Sequence, residues 1–263
     1  MPLSQAKRGT ILPAMSDSEA ARPRVDLNAD AGEAEDSRAE EALLEHVTSV
    51  SIACGVHAGG PPVIAHLSEI AAARGIGVGA HPGIPSGRGP AQATPGEVRD
   101  LVLQQIEVFR RSSRSPLQHV KLHGTLYHLA REARIAWAVV EAMREHPNVI
   151  LVAQASSPLL AVAHAEGIPT RSEAFLDRGY TGEGLLIPRG APNALLCDCD
   201  AAAQRALGIV LRGELRTESG AVIRLHAGTL CVHGDSPHAL EVASAVRGAL
   251  EAHQVRVVAM GAS

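Results

Sequence analysis

The side chains able to do chemistry in this chain recur at alternate positions. Asp26, Asn28 and Asp30 alternate with apolar residues in Val25-Asp26-Leu27-Asn28-Ala29-Asp30, and His119, Lys121 and His123 do the same in His119-Val120-Lys121-Leu122-His123-Gly124. Alternate residues of a strand share one face, so each set would point the same way. Thr229, Cys231, His233 and Asp235 repeat the pattern, while His57 and His81 each stand at a strand end between glycines. Of 24 basic residues only Lys7 and Lys121 are lysine, which makes Lys121 conspicuous. Carboxylates and imidazoles in register can take a proton from water, and an ammonium beside them can polarise a carbonyl or hold an anion. Taken singly, each histidine fits a satisfied structural role, and Asp26 fits a helix cap or an arginine partner. Together, Asp26, Asp30, His57, His81, Lys121, His123, His233 and Asp235 come from five strand ends and point to one site.

The elements that must position them alternate. Strand patterns fall at residues 25–29, 49–53, 75–80, 119–122, 149–153 and 229–232, and helical patterns at 40–46, 62–74, 95–111, 135–145, 158–166, 201–211 and 237–251. Thr94-Pro95-Gly96-Glu97 combines an N-cap, a first-turn proline and a capping-box glutamate. Ser157-Pro158 and Ser236-Pro237 repeat the cap-then-proline start. Strand–helix alternation predicts parallel strands joined by crossover helices, with the active site at the strands' carboxyl ends. Residues 173–197, rich in glycine and proline, read as a long functional loop. Residues 214–225, centred on Ser219-Gly220, read as an inserted β-hairpin.

At 263 residues the chain is long enough for one α/β barrel. We read residues 1–22 as a disordered leader, with Met15 as a second plausible start, and 23–263 as a single domain. A net charge of −4 gives no footprint for nucleic acid or an anionic membrane. Aromatic residues make up only 2% of the chain, which argues against base stacking and against a polysaccharide groove. No apolar run is long enough to span a membrane, and four scattered cysteines suit reduced thiols in a cytoplasmic protein. Cys54 and Cys231 read as small core residues. Asp and His ligands from strand ends are compatible with a divalent metal, but no HExxH or one-turn His pair calls for one. There is no GxxxxGK[ST] phosphate loop and no GxSxG elbow.

Several segments, taken in order, resemble the LamB/YcsF family, that of bacterial 5-oxoprolinase A subunits (lactam utilisation proteins). They are Asp26-Leu27-Asn28-Ala29-Asp30 with Gly32-Glu33, Ile52-Ala53-Cys54-Gly55-Val56-His57-Ala58-Gly59, and Gly79-Ala80-His81-Pro82-Gly83. His119-Val120-Lys121 with His123-Gly124 and Leu126-Tyr127 follows, then Glu173-Ala174-Phe175-Leu176-Asp177-Arg178-Gly179-Tyr180 and Cys231-Val232-His233-Gly234-Asp235-Ser236-Pro237. The resemblance implies a distorted TIM-like (β/α) barrel akin to that of polysaccharide deacetylases. It also implies ATP-dependent opening of 5-oxoproline to glutamate with B- and C-type partner subunits, ATP being bound with or on those partners.

Within that reading Asp26 or His123 is the expected general base, with Asp30 and His57 beside it. Lys121 would neutralise charge on the ring oxygen or phosphate. Arg178 would clamp the substrate carboxylate or else pair with Asp177 or Glu173. Tyr180 would touch substrate or pack its loop, and Asn28, His81, His233 and Asp235 would position water and substrate. The chain departs from the family where Ala31-Gly32-Glu33-Ala34-Glu35-Asp36 replaces the usual Leu-Gly-Glu-Gly-Phe-Gly, and at Ser86-Gly87-Arg88-Gly89-Pro90, Leu122 and His128. These positions line the expected pocket mouth and leave three alternatives: another lactam, a metal-assisted amidohydrolase or deacetylase, and a non-catalytic small-carboxylate binder.

Overall fold

The structure, a computed structural model, describes residues 22–34, 37–85, 93–234 and 238–261. The expected leader (Arg22 apart), Ser236-Pro237, Asp235, Glu35-Asp36 and the stretch from Ser86 to Pro90 lie outside the described residues. In chain order the elements are β1 (Arg24–Ala31), α1 (Ser37–Leu43), β2 (Ser49–Ala53), α2 (Pro61–Ala73), β3 (Gly77–His81) and α3 (Pro95–Ser112). Then come β4 (His119–Lys121), α4 (Gly124–Leu129), α5 (Ala133–Met143), β5 (Ile150–Gln154), α6 (Pro158–Ala165) and β6 (Thr170–Phe175). The chain continues with α7 (Cys199–Leu207), β7 (Glu214–Arg216), β8 (Val222–Arg224), β9 (Thr229–Val232), α8 (Ala239–Ala252) and β10 (Arg256–Val257).

Strands β1 to β6 pair in sequence order, β6 pairs with β9, and β9 returns to β1, all in parallel. The result is a closed seven-stranded barrel, one strand short of the common eight. This is the distorted TIM-like barrel expected from the sequence. Register sets Asp26 opposite Thr229 and Asn28 opposite Ser49 and Cys231. The side chains alternating along β1 therefore fall in layers inside the barrel.

Crossover helices seal the outside. Helix α3 starts on the capping box, with Glu97 N donating to Thr94 Oγ1 at 3.3 Å and Thr94 N donating to Glu97 Oε2 at 3.0 Å. Its Val98, Val102, Ile106 and Phe109 form a buried stripe at helical spacing. Ser157 caps α6 by accepting from Leu160 N at 3.2 Å. β7 and β8 pair antiparallel as the expected hairpin.

Two elements depart from expectation. Residues 170–175 form β6, so the segment read as a loop from 173 begins as a barrel strand. Its Thr170-Arg171-Ser172 half is polar and half-buried, which hides the strand signature. The six-residue α4 is too short to show a helical period. No helix among the described residues is long and apolar enough to cross a membrane.

Candidate functional site

The barrel interior is layered, and the layers differ in what they leave open. At the bottom Asp26 accepts from Ser49 Oγ at 2.6 Å, Thr48 Oγ1 at 2.8 Å and Thr229 Oγ1 at 2.5 Å. His119 pairs through Nε2 with Ser51 Oγ at 3.1 Å. It fits because β3 carries Gly79 beside it, where a Cβ would stand 2.2 Å from that ring nitrogen. Burial raises the Asp26 pKa against the hydroxyls that oppose it, and lowers His119 to about 3. Neither residue lines the cavity above. Asp26 is thus withdrawn as the general base: both its oxygens serve hydroxyls in the floor, out of reach of a substrate.

Lys121 fills the next layer. Its Nζ lies 2.7 Å from Asp30 Oδ1, 2.8 Å from Glu173 Oε1, 3.0 Å from Cys231 Sγ and 3.3 Å from Asn28 Oδ1. Burial pulls its pKa down, but the Asp30 and Glu173 carboxylates hold it well above the ordinary lysine value. Three N–H donors facing two carboxylates and further acceptors have none to spare. Lys121 thus neutralises buried carboxylates, and it also lines the cavity above, where the sequence expected it to act on the substrate oxygen. Asn28 is likewise spent on Glu173, Thr229 and Leu230, at 3.2, 2.6 and 3.2 Å, which removes it as a substrate contact. Tyr127 completes the layer by donating to Glu173 Oε2 at 2.9 Å.

Above these groups opens a cavity of about 740 Å³. One wall gathers His57, His81 and His123 from three strand ends around Glu33, which follows β1. Glu33 Oε1 lies 3.0 Å from His57 Nε2, 3.6 Å from His81 Nε2 and 2.8 Å from His123 Nδ1. The His57 and His123 rings stack at 3.7 Å with 4° between planes. His81 Nδ1 donates to the Lys121 carbonyl at 2.8 Å, which turns Nε2 towards Glu33, His123 and Asp30. Burial would raise both carboxyls. Bonds from His123 and His57 instead hold Glu33 far below the usual range, and His81 and Lys121 bring Asp30 to about 2. Burial lowers His81 to about 4, so its imidazole is neutral at pH 7.

Packing positions this wall. Gln105 of α3 accepts from Gly83 N at 3.0 Å and donates to Gly83 O at 2.9 Å. That fixes Gly83 against His57, where a Cβ would come within 2.5 Å of Nδ1. His57 Nδ1 is buried without a partner.

The facing wall is different. His233 Nδ1 lies 2.9 Å from Asp177 Oδ1, and its ring stacks on Phe175 at 4.9 Å. Burial would lower His233, but Asp177 raises it, and His233 in turn outweighs burial to lower Asp177. Arg131, Arg178 and Arg189 also line the cavity. Burial lowers the His128 pKa, and these guanidiniums add to the effect. Arg178 donates to the Ala194 and Ile187 carbonyls at 3.2 and 2.7 Å, bracing the 176–197 loop. Tyr180 faces inward, its hydroxyl accepting from Phe175 N at 2.7 Å, and does not line the cavity. Its role is the loop packing that the sequence also allowed.

The structure thus brings Asp30, His57, His81, Lys121, His123, Arg178 and His233 to one cavity and sets Asp26, Asn28 and Tyr180 apart. Sequence reasoning missed Glu33, Glu173, Asp177 and Tyr127 as site residues, although each sits inside a segment quoted for the family resemblance. Burial raises Cys231 well above and Cys54 to about 12, so both stay thiols. Glu33, His57, His81 and His123 are also the group among the described residues able to hold a metal ion, their ligand atoms lying within 4.8 Å of one another.

The LamB/YcsF family profile matches residues 25–263. A 5-oxoprolinase A subunit from Methylococcus capsulatus is 43% identical over 249 residues, covering 90% of this chain and 96% of the relative. The crystal structure of a lactam utilization protein from Thermus thermophilus is 39% identical, with a TM-score of 0.81 over 90% of this chain and 100% of that one. A family 4 carbohydrate esterase from Streptomyces lividans shares the fold at 10% identity and a TM-score of 0.50, covering 89% and 91% of the two chains.

Proposed function

The chain belongs to the LamB/YcsF family, and we propose that it is the A subunit of a multi-subunit 5-oxoprolinase that opens 5-oxoproline to L-glutamate with ATP. Relatives named as 5-oxoprolinase A subunits support this reading, as does a structure named a lactam utilization protein. One observation carries it: a cavity with an imidazole–carboxylate wall facing an arginine-lined one. The substrate is a small ring with an amide to be attacked and a carboxylate to be held. Arg131, Arg178 and Arg189 receive its anionic groups. Glu33, His57, His81 and His123 hold and activate the water.

A lactam is a poor electrophile, and ATP supplies the activation. B- and C-type partner subunits bring the nucleotide, in keeping with a sequence that has no phosphate loop. The lactam carbonyl oxygen takes the terminal phosphoryl group of ATP, releasing ADP. Water adds to the ring carbon and gives its proton to the cluster. The C–N bond then breaks as the nitrogen recovers a proton, leaving a glutamyl phosphate. A second water hydrolyses that phosphate to glutamate and inorganic phosphate.

The test is glutamate formation from 5-oxoproline by this protein mixed with its B- and C-type partners. Glutamate appearing only with all three proteins and ATP is the expected result. No glutamate, with the partners still hydrolysing ATP, would overturn the substrate assignment. Glutamate without ATP would favour the second reading, metal-assisted amide hydrolysis, which the same four-residue cluster also suits.

A further inference from the structure

We infer that Glu33, His57, His81 and His123 form a binding site for a zinc-class divalent cation. Three imidazole nitrogens and one carboxylate oxygen are the donor set such ions favour. Size supports it. Ligands about 2.0–2.1 Å from a tetrahedral ion stand about 3.3–3.4 Å from one another. Here Glu33 Oε1 is 2.8, 3.0 and 3.6 Å from His123 Nδ1, His57 Nε2 and His81 Nε2, and the last lies 3.2 Å from His123 Nδ1. These four edges approximate those of a tetrahedron. The other two, from His57 Nε2 to the two imidazole nitrogens, lie within 4.8 Å, and the His57 ring, stacked flat on His123 at 3.7 Å, must turn for both lone pairs to meet one ion.

The surroundings are those of a ligand set. A metal-bound imidazole normally donates its second N–H to a carboxylate or carbonyl, which fixes its tautomer. His81 does this through Nδ1 to the Lys121 carbonyl at 2.8 Å, leaving the Nε2 lone pair facing the cluster. Asp30 Oδ2, 3.5 Å from His81 Nε2, adds negative charge behind the site. Entry is from the cavity, where 31% of the His123 side chain is exposed. His57 is the weakest of the four, because its Nδ1 faces Gly83 without an acceptor. The donors come from a loop and three strand ends, so no local spacing announces them. A bound dication would lower the pKa of its water, the species that the proposed lactam opening needs. Only that use rests on the 5-oxoprolinase reading; the site itself stands on its geometry.

The test is metal content, then cobalt binding. The full-length protein, purified without chelator, is analysed by inductively coupled plasma mass spectrometry. Chelator-stripped protein is then titrated with Co²⁺ alone and followed by its visible d–d bands. The expected result is close to one equivalent of metal and a tetrahedral cobalt spectrum. Glu33→Gln and His81→Ala, which remove a direct ligand, should weaken Co²⁺ binding by more than the roughly 10–100-fold that loss of an outer partner costs, and His57→Ala by less. Far-UV circular dichroism checks folding, and Glu33→Gln keeps side-chain shape should His81→Ala fail to fold. Absence of copurified metal together with no cobalt bands at millimolar Co²⁺ would overturn the site, as would equal affinity in wild type and Glu33→Gln. Cobalt binding in a protein that makes no glutamate refutes the lactam reading alone. Glutamate formation by chelated, metal-free protein refutes a catalytic use of the site alone.

Discussion

The floor and the mouth of the barrel draw on the same residue types from the same strands, and they end in opposite states. Asp26 and His119 in the floor meet hydroxyls of Thr48, Ser49, Ser51 and Thr229, the Met260 backbone and the neighbouring Gln118. Glu33, His57, His81 and His123 at the mouth meet mainly one another. A hydroxyl donates to a carboxylate and asks for nothing further, so the floor is closed. Imidazoles crowded on one carboxylate oxygen keep lone pairs and protons that solvent, substrate or a cation can use. Position along the strand, rather than residue type, separates structure from chemistry here.

The sharpest way to break this comparison is to make the same acid-to-amide change in both layers. Glu33→Gln should cost turnover about 10²–10⁴-fold in the reconstituted glutamate assay, and should lower the urea midpoint as well, since the bonds that hold its pKa down also favour the folded state. Asp26→Asn should leave turnover within error and register only in stability. Should Asp26→Asn abolish glutamate formation in a protein with an unchanged urea midpoint, the floor would have to be counted as part of the site.

That pair also marks how far the sequence can be read. Strict alternation in Val25-Asp26-Leu27-Asn28-Ala29-Asp30 discloses a shared face, and the glycines flanking His57 and His81 disclose strand ends. Alternation carries no depth, so Asp26 and Asp30 look equivalent although a layer separates them. Glu33 lies past Gly32, beyond the strand, where no periodicity reaches. Glu173 reads as part of a loop because Thr170-Arg171-Ser172 is only half-buried at the barrel's lower rim. Arg131 and Arg189 reach the cavity from segments with no motif at all.

The next effect in size belongs to the floor. Asp26→Ala would strip the shared acceptor from Thr48, Ser49 and Thr229 and leave a small void, costing about 2–4 kcal/mol. Urea denaturation measures it. A loss under about 1 kcal/mol would mean the hydroxyls find other partners, and the floor would be looser than its geometry implies.

Gly83→Ala tests whether the mouth is held from behind. The new methyl would lie 2.5 Å from His57 Nδ1, so the ring or the loop must shift. Misplacing a cluster member should reduce turnover about 10–100-fold. Stability should fall less than for Asp26→Ala, since Gln105 still grips the Gly83 backbone. Unchanged turnover would show that His57 is not needed where it stands.

The smallest effect comes from a mouth residue that behaves like the floor. His233 and Asp177 form a closed pair, 2.9 Å apart and nearly buried. Asp177 raises the His233 pKa although burial opposes it, so the folded state binds that proton more tightly than the unfolded chain does. This contribution is fully present below the ordinary histidine pKa of about 6.5 and fades as pH rises through the folded value. Asp177 runs the other way: its folded pKa is lowered, so its share is present above the ordinary value of about 3.9 and is lost as pH falls. Stability from the pair therefore forms a plateau between the two titrations, with an alkaline shoulder owed to His233. Thermal melts across pH for wild type and Asp177→Asn measure it. The variant should lose the shoulder, because His233 then has burial without its anion. A shoulder that survives would have to come from another group, and the pair would belong with the open mouth.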